Sequence, residues 1–350
     1  MQRELIMHNE AMGFEVITGE FINKVISSSR QEIVRLVSES YLAHDLGKTV
    51  NPDSYFLNFK DKPEARIIAL PAAINNPSMD MSVSGIKWIA SYPKNIEFNL
   101  HRASAVMLLN NYETGYPFCC LEASQISAAR TAASAVLAAN HLKKGKSGSL
   151  SIVGCGLIAK TILAFFKDEG WIFESVLAHD ISTEYRELFV TDQEVQDYYP
   201  VSAAHDQAHA LSADIVVFTT TAGKPYVIDE NTFASNQLIL NISLRDLSPE
   251  IVVSSNNIVD DVEHCMKANT SPHLAEQLYG NRSFVNGTLA QVMKGDVTLD
   301  NQKPTIFSPF GLGILDLSLA MYIYRSNKIS ALGRQMIPGF FPETQRWSPK

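Results

Sequence analysis

Gly148-Ser-Leu-Ser-Ile-Val-Gly-Cys-Gly-Leu-Ile-Ala159 is the stretch that decides the fold. An apolar run ends there in Gly-x-Gly-x-x-Ala and passes directly into a helical spacing, with Ala159, Ile162, Leu163 and Phe166 recurring on one face. A second apolar run, Val176-Leu-Ala-His179, follows after a helix-length interval and ends at Asp180. Strand, glycine loop, helix, strand and terminal acid in this order read as the first βαβ unit of a dinucleotide-binding domain. Gly154 allows the tight turn and Gly156 lets backbone N–H groups approach a pyrophosphate. Leu157 and Ile158 open the helix whose unpaired N–H groups and dipole favour that anion. Asp180 stands where an acid accepts hydrogen bonds from the adenosine ribose hydroxyls. Ile181, Ser182 and Thr183 follow with no arginine beside Asp180 to receive a 2′-phosphate, so the expected cofactor is NAD rather than NADP.

Downstream, Ala213–Phe218 runs into Thr219, Thr220 and Thr221, and Gln237–Ser243 and Ile258–Asp260 are further apolar runs that alternate with helical stretches. This alternation implies a Rossmann-type, doubly wound parallel sheet with helices on both faces. Ligands of such sheets sit beyond the carboxyl ends of the strands, so Thr219–Thr221 and Ser243–Asp246 are expected to line the cofactor cleft. Asp246 follows a strand end and precedes a Ser248-Pro249 helix start. Its position makes it the leading acid–base candidate. The alternatives are an ion pair with Arg245 or a share in capping that helix.

Upstream, Phe14–Ile17 is strand-like, and Thr18-Gly-Glu20 opens one helix with Ile22, Val25, Ile26, Ile33, Val37 and Tyr41 near one face, ending by Gly47. Residues 50–60 are polar and contain Pro52. Arg66–Pro71, Gly85–Tyr92 and Ser104–Asn110 read as strands, the last turning at Asn111–Gly115 into a returning strand that ends at Glu122. An Ala-rich helix from Ser124 to His141 leads through Lys143–Gly148 to the glycine loop. The expected organisation is α/β: an α+β substrate-binding domain over residues 1–125, a nucleotide-binding domain over 126–311, and a C-terminal segment, 312–350, that packs back through a helix at Leu312–Tyr324.

Arg66, Lys87 and Arg130 sit inside apolar stretches. Burying an unpaired cation is expensive, so each needs an internal carboxylate or a bound anion. Three of them together point to a small-molecule substrate with several carboxylates, gripped by Arg as a bidentate fork and by Lys as a point charge. Lys87 is also the second candidate for proton transfer.

A chain of 350 residues, 46% hydrophobic and 19% charged, has room for two domains with substantial cores. Its net charge of −8 argues against nucleic acid and anionic membrane surfaces as partners. Cys119, Cys120, Cys155 and Cys265 have neither Cys-x-x-Cys spacing nor the density of a disulfide scaffold, which fits a reducing, cytoplasmic compartment. His205 and His209 lack a third ligand, and no metal site is implied. No run approaches the roughly 18 apolar residues of a membrane span.

Ala43-His44-x-x-Gly47, Gly85-Ile-Lys-Trp88, Thr114-Gly-Tyr-Pro117, Glu122, Ser127-Ala-Ala-Arg-Thr-Ala-Ala133 and the Gly154 loop together resemble the ornithine cyclodeaminase/μ-crystallin family. Longer stretches, among them Arg66–Pro71, Lys87–Asn95, Arg102–Val106, Ile242–Pro249 and Asp260–His264, are similar to one branch of that family. That branch oxidatively cleaves a secondary amine joining glutamate to a diaminopropionate unit, in siderophore and peptide-antibiotic pathways. The resemblance implies an NAD-dependent dehydrogenase acting on a CH–NH bond, with carboxylates bound by Arg66, Lys87 and Arg130 and catalysis by Asp246. It also implies a homodimer built through the N-terminal sheets. Ser308-Pro309 departs from the Asp-Ser pair of cyclodeaminases and argues against ornithine cyclisation. A lyase that regenerates its NAD and a nucleotide-holding protein without turnover are the alternatives an assay must separate.

Overall fold

The computed structural model describes residues 13–326 and 333–341. Residues 1–12, 327–332 and 342–350, which include parts of the expected first domain and C-terminal segment, lie outside the described residues. Two compact units emerge: the first is drawn from Met1–Ser28, Lys48–Ile126 and Asp316–Lys350, the second from Ser29–Gly47 and Ser127–Leu315.

The second unit carries an all-parallel, eight-stranded sheet. From edge to edge its strands are Val201–Ala203, Ile172–His179, Ser147–Val153, Ile215–Phe218, Leu238–Asn241, Thr305–Ser308, Asn256–Val259 and Val285–Thr288. Strands covered on both faces need no polar alternation. Ile215–Phe218 and Leu238–Asn241 are accordingly buried at every position. Val153, Val216, Phe218, Ile239 and Ile306 join one core with Leu247, Ile251 and Phe284 from the helices and loops beside them. Leu157–Asp168 buries Ala159, Ile162, Leu163, Phe165 and Phe166, the face its spacing predicts.

The single helix expected between Thr18 and Gly47 is two helices, Gly19–Ser28 and Arg30–Asp45. The Ser28 hydroxyl donates to the carbonyls of Lys24 and Val25. Such local bonds compete with continuation of a helix, and Ser29 leaves helical geometry at φ −139°. The second helix groups with the nucleotide-type unit although residues 1–125 were expected to be one domain. Arg30 pairs with Asp168 at 2.8 Å, the Tyr41 hydroxyl meets Ser134 Oγ at 2.6 Å, and Lys294 pairs with Asp45 at 2.8 Å.

The first unit is a mixed sheet with strand order Arg334–Ile337, Phe14–Ile17, Pro117–Glu122, Ala103–Asn111, Met81–Ser91, Arg66–Asn76 and Thr49–Val50. Tyr55–Asn58, inside the stretch read as polar, is an eighth strand laid along Arg66–Ala69. All four of its residues are exposed, so it owes its form to backbone pairing and leaves no alternation in the sequence. Part of the C-terminal segment joins this unit: Arg334–Ile337 pairs antiparallel with Phe14–Ile17, and Arg334 forks onto Glu15 at 2.6 and 2.7 Å. Residues from Asp316 to Arg325 belong to the helix Gly313–Arg325. Among the described residues no helix is long and apolar enough to cross a membrane.

Candidate functional site

In the second unit the strand Ser147–Val153 ends at Gly154, which has φ +98°. A Cβ there would stand 2.8 Å from the Thr219 carbonyl carbon and 2.9 Å from Thr220 N, so this glycine is demanded by the close approach of the neighbouring strand end as much as by its own turn. Gly156 differs. It is exposed, a Cβ on it would meet nothing within 4 Å, and it begins the helix Leu157–Asp168 without any side-chain cap. Open space in front of an uncapped helix start suits a pyrophosphate. Leu157 is half exposed beside it.

Asp180 follows the strand Ile172–His179, and its carboxylate accepts from Cys155 N at 2.8 Å and Ser182 N at 2.9 Å. The acid is thereby fixed to the glycine loop. Each carboxylate oxygen has capacity for a further donor such as a ribose hydroxyl. Burial, and then the Asp180 charge, push the Cys155 thiol up to about 12, so it is a neutral small side chain in the loop. Burial lowers the pKa of His179 despite the neighbouring Asp180 charge, and its Nδ1 has no hydrogen-bond partner.

Thr219 Oγ1 donates to the Gly154 carbonyl at 2.7 Å, closing the loop from the other side. Thr220 donates to Asp246 Oδ1, and Ser243 donates to Asp246 Oδ2 at 2.5 Å. Thr221 is exposed and stands outside this network. Asp246 itself is fully buried. It does not pair with Arg245, whose guanidinium reaches the Ala268 carbonyl, and the cap of helix Pro249–Ser254 is Ser248. A third hydroxyl was missed in the sequence. Tyr226, in the polar loop after Thr221, hydrogen-bonds Asp246, and burial followed by that carboxylate's charge drives its phenol well above the usual range. No periodicity or motif marks it.

Arg130, on the helix Ser124–Leu142, has its guanidinium against Gly311, where φ is +96° and a Cβ would fall 2.5 Å from Arg130 Nη1. The turn at Gly311 is fixed by Asp260. This fully buried carboxylate accepts from Phe310 N at 2.9 Å, Gly311 N at 2.7 Å and Asp261 N at 2.9 Å, and burial raises its pKa despite those three donors. Ser308, where cyclodeaminases carry an acid, is buried and accepts from Asn241 Nδ2 at 3.2 Å.

Arg66 and Lys87 belong to the first unit. Lys87 is 1% exposed, and its Nζ lies 2.7 Å from Asp316 Oδ2, itself wholly buried. Of the two fates open to a buried cation, Lys87 therefore has an internal carboxylate. Arg66 is partly buried and lies opposite Ser91 in the adjacent strand.

A doubly wound parallel sheet with a glycine loop and a strand-end acid defines a dinucleotide-binding α/β protein. The chain belongs to the ornithine cyclodeaminase/mu-crystallin family, whose sequence profile matches residues 21–330. It is 30% identical over 315 residues to N-((2S)-2-amino-2-carboxyethyl)-L-glutamate dehydrogenase of Staphylococcus aureus, covering 87% of this chain and 92% of that one. An archaeal alanine dehydrogenase, solved as a dimer with bound NAD, superposes with a TM-score of 0.78 at 26% identity, over 89% of this chain and 95% of the other. Thermococcus litoralis Δ1-pyrroline-2-carboxylate reductase, solved with NADH and L-proline, shares the fold with a TM-score of 0.80 at 22% identity, over 88% and 96% of the two chains.

Proposed function

We propose that this chain catalyses the NAD-dependent oxidative cleavage of N-(2-amino-2-carboxyethyl)-L-glutamate to L-2,3-diaminopropionate, 2-oxoglutarate and NADH. It is an NAD-dependent dehydrogenase acting on a CH–NH bond. The observation that carries the reading is the setting of Asp246, a buried carboxylate at a strand end of a dinucleotide-type sheet that meets the hydroxyls of Thr220, Ser243 and Tyr226. The choice of substrate rests on the likeness to the Staphylococcus aureus dehydrogenase.

NAD, when bound, supplies the hydride acceptor. Backbone N–H groups at Gly156, Leu157 and Ile158 take its pyrophosphate, and Asp180 takes its ribose hydroxyls. Gly154, Thr219, Thr220, Thr221 and Ser243 are assigned to the walls around it. Asp246 takes the proton from the substrate amine and passes it to solvent, then takes a proton from the water that adds to the oxidised carbon and delivers it to the amine nitrogen as the C–N bond breaks, with Lys87 as the second candidate for these transfers. Arg66, Lys87 and Arg130 are assigned to the substrate carboxylates. Since Lys87 already has Asp316, it orients a carboxylate without adding net charge.

A homodimer is supported by the apolar side of the first unit's sheet. Tyr55, Leu57, Trp88 and Val106 are all 42% or more exposed, and cross-strand pairing puts Trp88 beside Val106 on one face. The free cysteines fit a cytoplasmic enzyme, and its product would feed siderophore or peptide-antibiotic assembly.

The test is to incubate the full chain with NAD and, separately, the proposed substrate, ornithine, alanine and lysine, following NADH and products. NADH with 2-oxoglutarate and diaminopropionate from the first alone is the expected result. Proline and ammonia from ornithine without net NADH would establish a lyase, and nucleotide binding without any turnover a binding protein.

A further inference from the structure

The sequence offered three buried cations for three carboxylates, and one of them, Lys87, has an internal carboxylate of its own. With Lys87 held by Asp316, the positive charge on that face of the first unit's sheet lies elsewhere. It concentrates around Ser91. Residues opposite one another in adjacent strands direct their side chains to the same face. Ser91, only 8% exposed, is opposite Arg66, and Lys87 precedes it by four residues on the same side of strand Met81–Ser91. Arg102 comes to this point from a third direction. Its carbonyl accepts from Tyr92 N at 2.8 Å, and its Nη1 donates to Ser91 Oγ at 2.8 Å.

The Arg102 guanidinium is therefore held at a buried hydroxyl on the strand position opposite Arg66, near enough for the two charges to repel. Among the described residues Arg102 has no carboxylate partner. Its surroundings are unfavourable to a lone cation, since burial and then the charge of Arg66 both act against it. A second arginine that repels the first is retained at a cost unless an anion sits between them. Guanidinium forks are the groups best shaped to hold a carboxylate through paired hydrogen bonds.

We propose that Arg102, held by Ser91 beside Arg66, forms with it a two-guanidinium seat for the side-chain carboxylate of a dicarboxylic amino-acid unit, and is thus a specificity-determining residue. The inference rests on the proposed substrate, of which glutamate is one half, and names the part of the chain that recognises that half's distal carboxylate. Arg102 is a binding group and takes no part in proton or hydride transfer.

The experiment compares binding of 2-oxoglutarate with that of 2-oxovalerate, which has the same carbon chain without the distal carboxylate. Calorimetric titration of the full chain in the presence of NADH, with no amine supplied, keeps the measurement independent of turnover. The unaltered protein is expected to bind 2-oxoglutarate about ten- to hundredfold more tightly, the range of one charge-assisted hydrogen-bonded contact. Arg102→Gln should remove most of that margin and leave 2-oxovalerate binding unchanged, and Arg102→Lys should fall between. Ser91→Ala, which releases Arg102 without removing it, should narrow the margin a few-fold and serves if Arg102→Gln does not fold. No preference in the unaltered protein, an unchanged preference in Arg102→Gln, equal loss of both ligands, or a changed oligomeric state with an intact preference would each overturn the proposal. Failure of the wider reading is a separate outcome: a protein that prefers 2-oxoglutarate through Arg102 yet makes no NADH from the proposed substrate keeps this seat and loses that reaction.

Discussion

Two aspartates, Asp316 and Asp246, are both wholly buried, one in each unit, and their surroundings have nothing in common. Asp316 faces an ammonium at 2.7 Å. Asp246 faces the hydroxyls of Thr220, Ser243 and Tyr226. A carboxylate matched to a buried cation is a structural element, because removing either partner strands a charge in a poorly solvated interior. A carboxylate surrounded by hydroxyls is satisfied without being neutralised, and each hydroxyl can turn from donor to acceptor when a proton arrives. Burial alone therefore does not separate an ion pair from a base; the chemical type of the partners does.

The comparison can be broken by making the same change in both places. Asp246→Asn should lower kcat by about 10²–10⁴, roughly 3–5 kcal/mol of barrier, with NAD affinity and folding stability nearly unchanged. Retention of more than about a third of kcat would remove Asp246 from proton transfer and leave Lys87 as the candidate. Asp316→Asn should cost about 3–5 kcal/mol of folding stability, read by denaturant titration. Adding Lys87→Met to Asp316→Leu should restore most of it; a single variant as stable as the parent would mean the pair is not structural.

A third carboxylate tests the cofactor side. Asp180→Ser removes a charged hydrogen bond worth about 1.5–3 kcal/mol and should narrow the preference for NAD over NADP by roughly ten- to hundredfold. Equal use of both cofactors by the unaltered chain would contradict the assignment. The smallest effect is expected at Asp261, which lies between His264 at 2.9 Å and His44 at 3.2 Å. Burial would raise its pKa, but the two imidazoles outweigh burial and hold the carboxyl well below the usual carboxylate range. A depressed folded value stabilises the protein above the unfolded value of about 3.9, and that contribution is lost as pH falls below it. Asp261→Asn should cost about 1 kcal/mol at neutral pH and flatten the acid limb of the stability profile. An unchanged acid limb would show that the histidines do not stabilise the carboxylate.

The parallel sheet and the glycine loop were legible because they are local: buried strands are unbroken apolar runs, and Gly154, Gly156 and Asp180 fall at fixed intervals. The break at Ser29 was hidden by apolar residues that keep one period through both helices. Tyr55–Asn58 was hidden because an exposed edge strand needs no pattern. The partner of Lys87 is 229 residues away. A signal did exist there, since Asp316 is the lone acid in the apolar run Leu312–Tyr324, and an acid stranded in an apolar helix answers a lysine stranded in an apolar strand. Tyr226 and Arg102 carry no comparable mark, one in a polar loop and the other at a strand margin where charged residues are ordinary.

At Gly311, the space that a methyl group would fill holds the tip of Arg130. The usual way to question an arginine is to delete it, which alters electrostatics, volume and hydrogen bonding at once. Gly311→Ala leaves the guanidinium in the molecule with its formal charge intact and obliges it to aim elsewhere. Aim and charge are thereby separated, at the cost of the strain a side chain meets at φ +96°, and the variant tests the assignment of Arg130 to a substrate carboxylate from the backbone side.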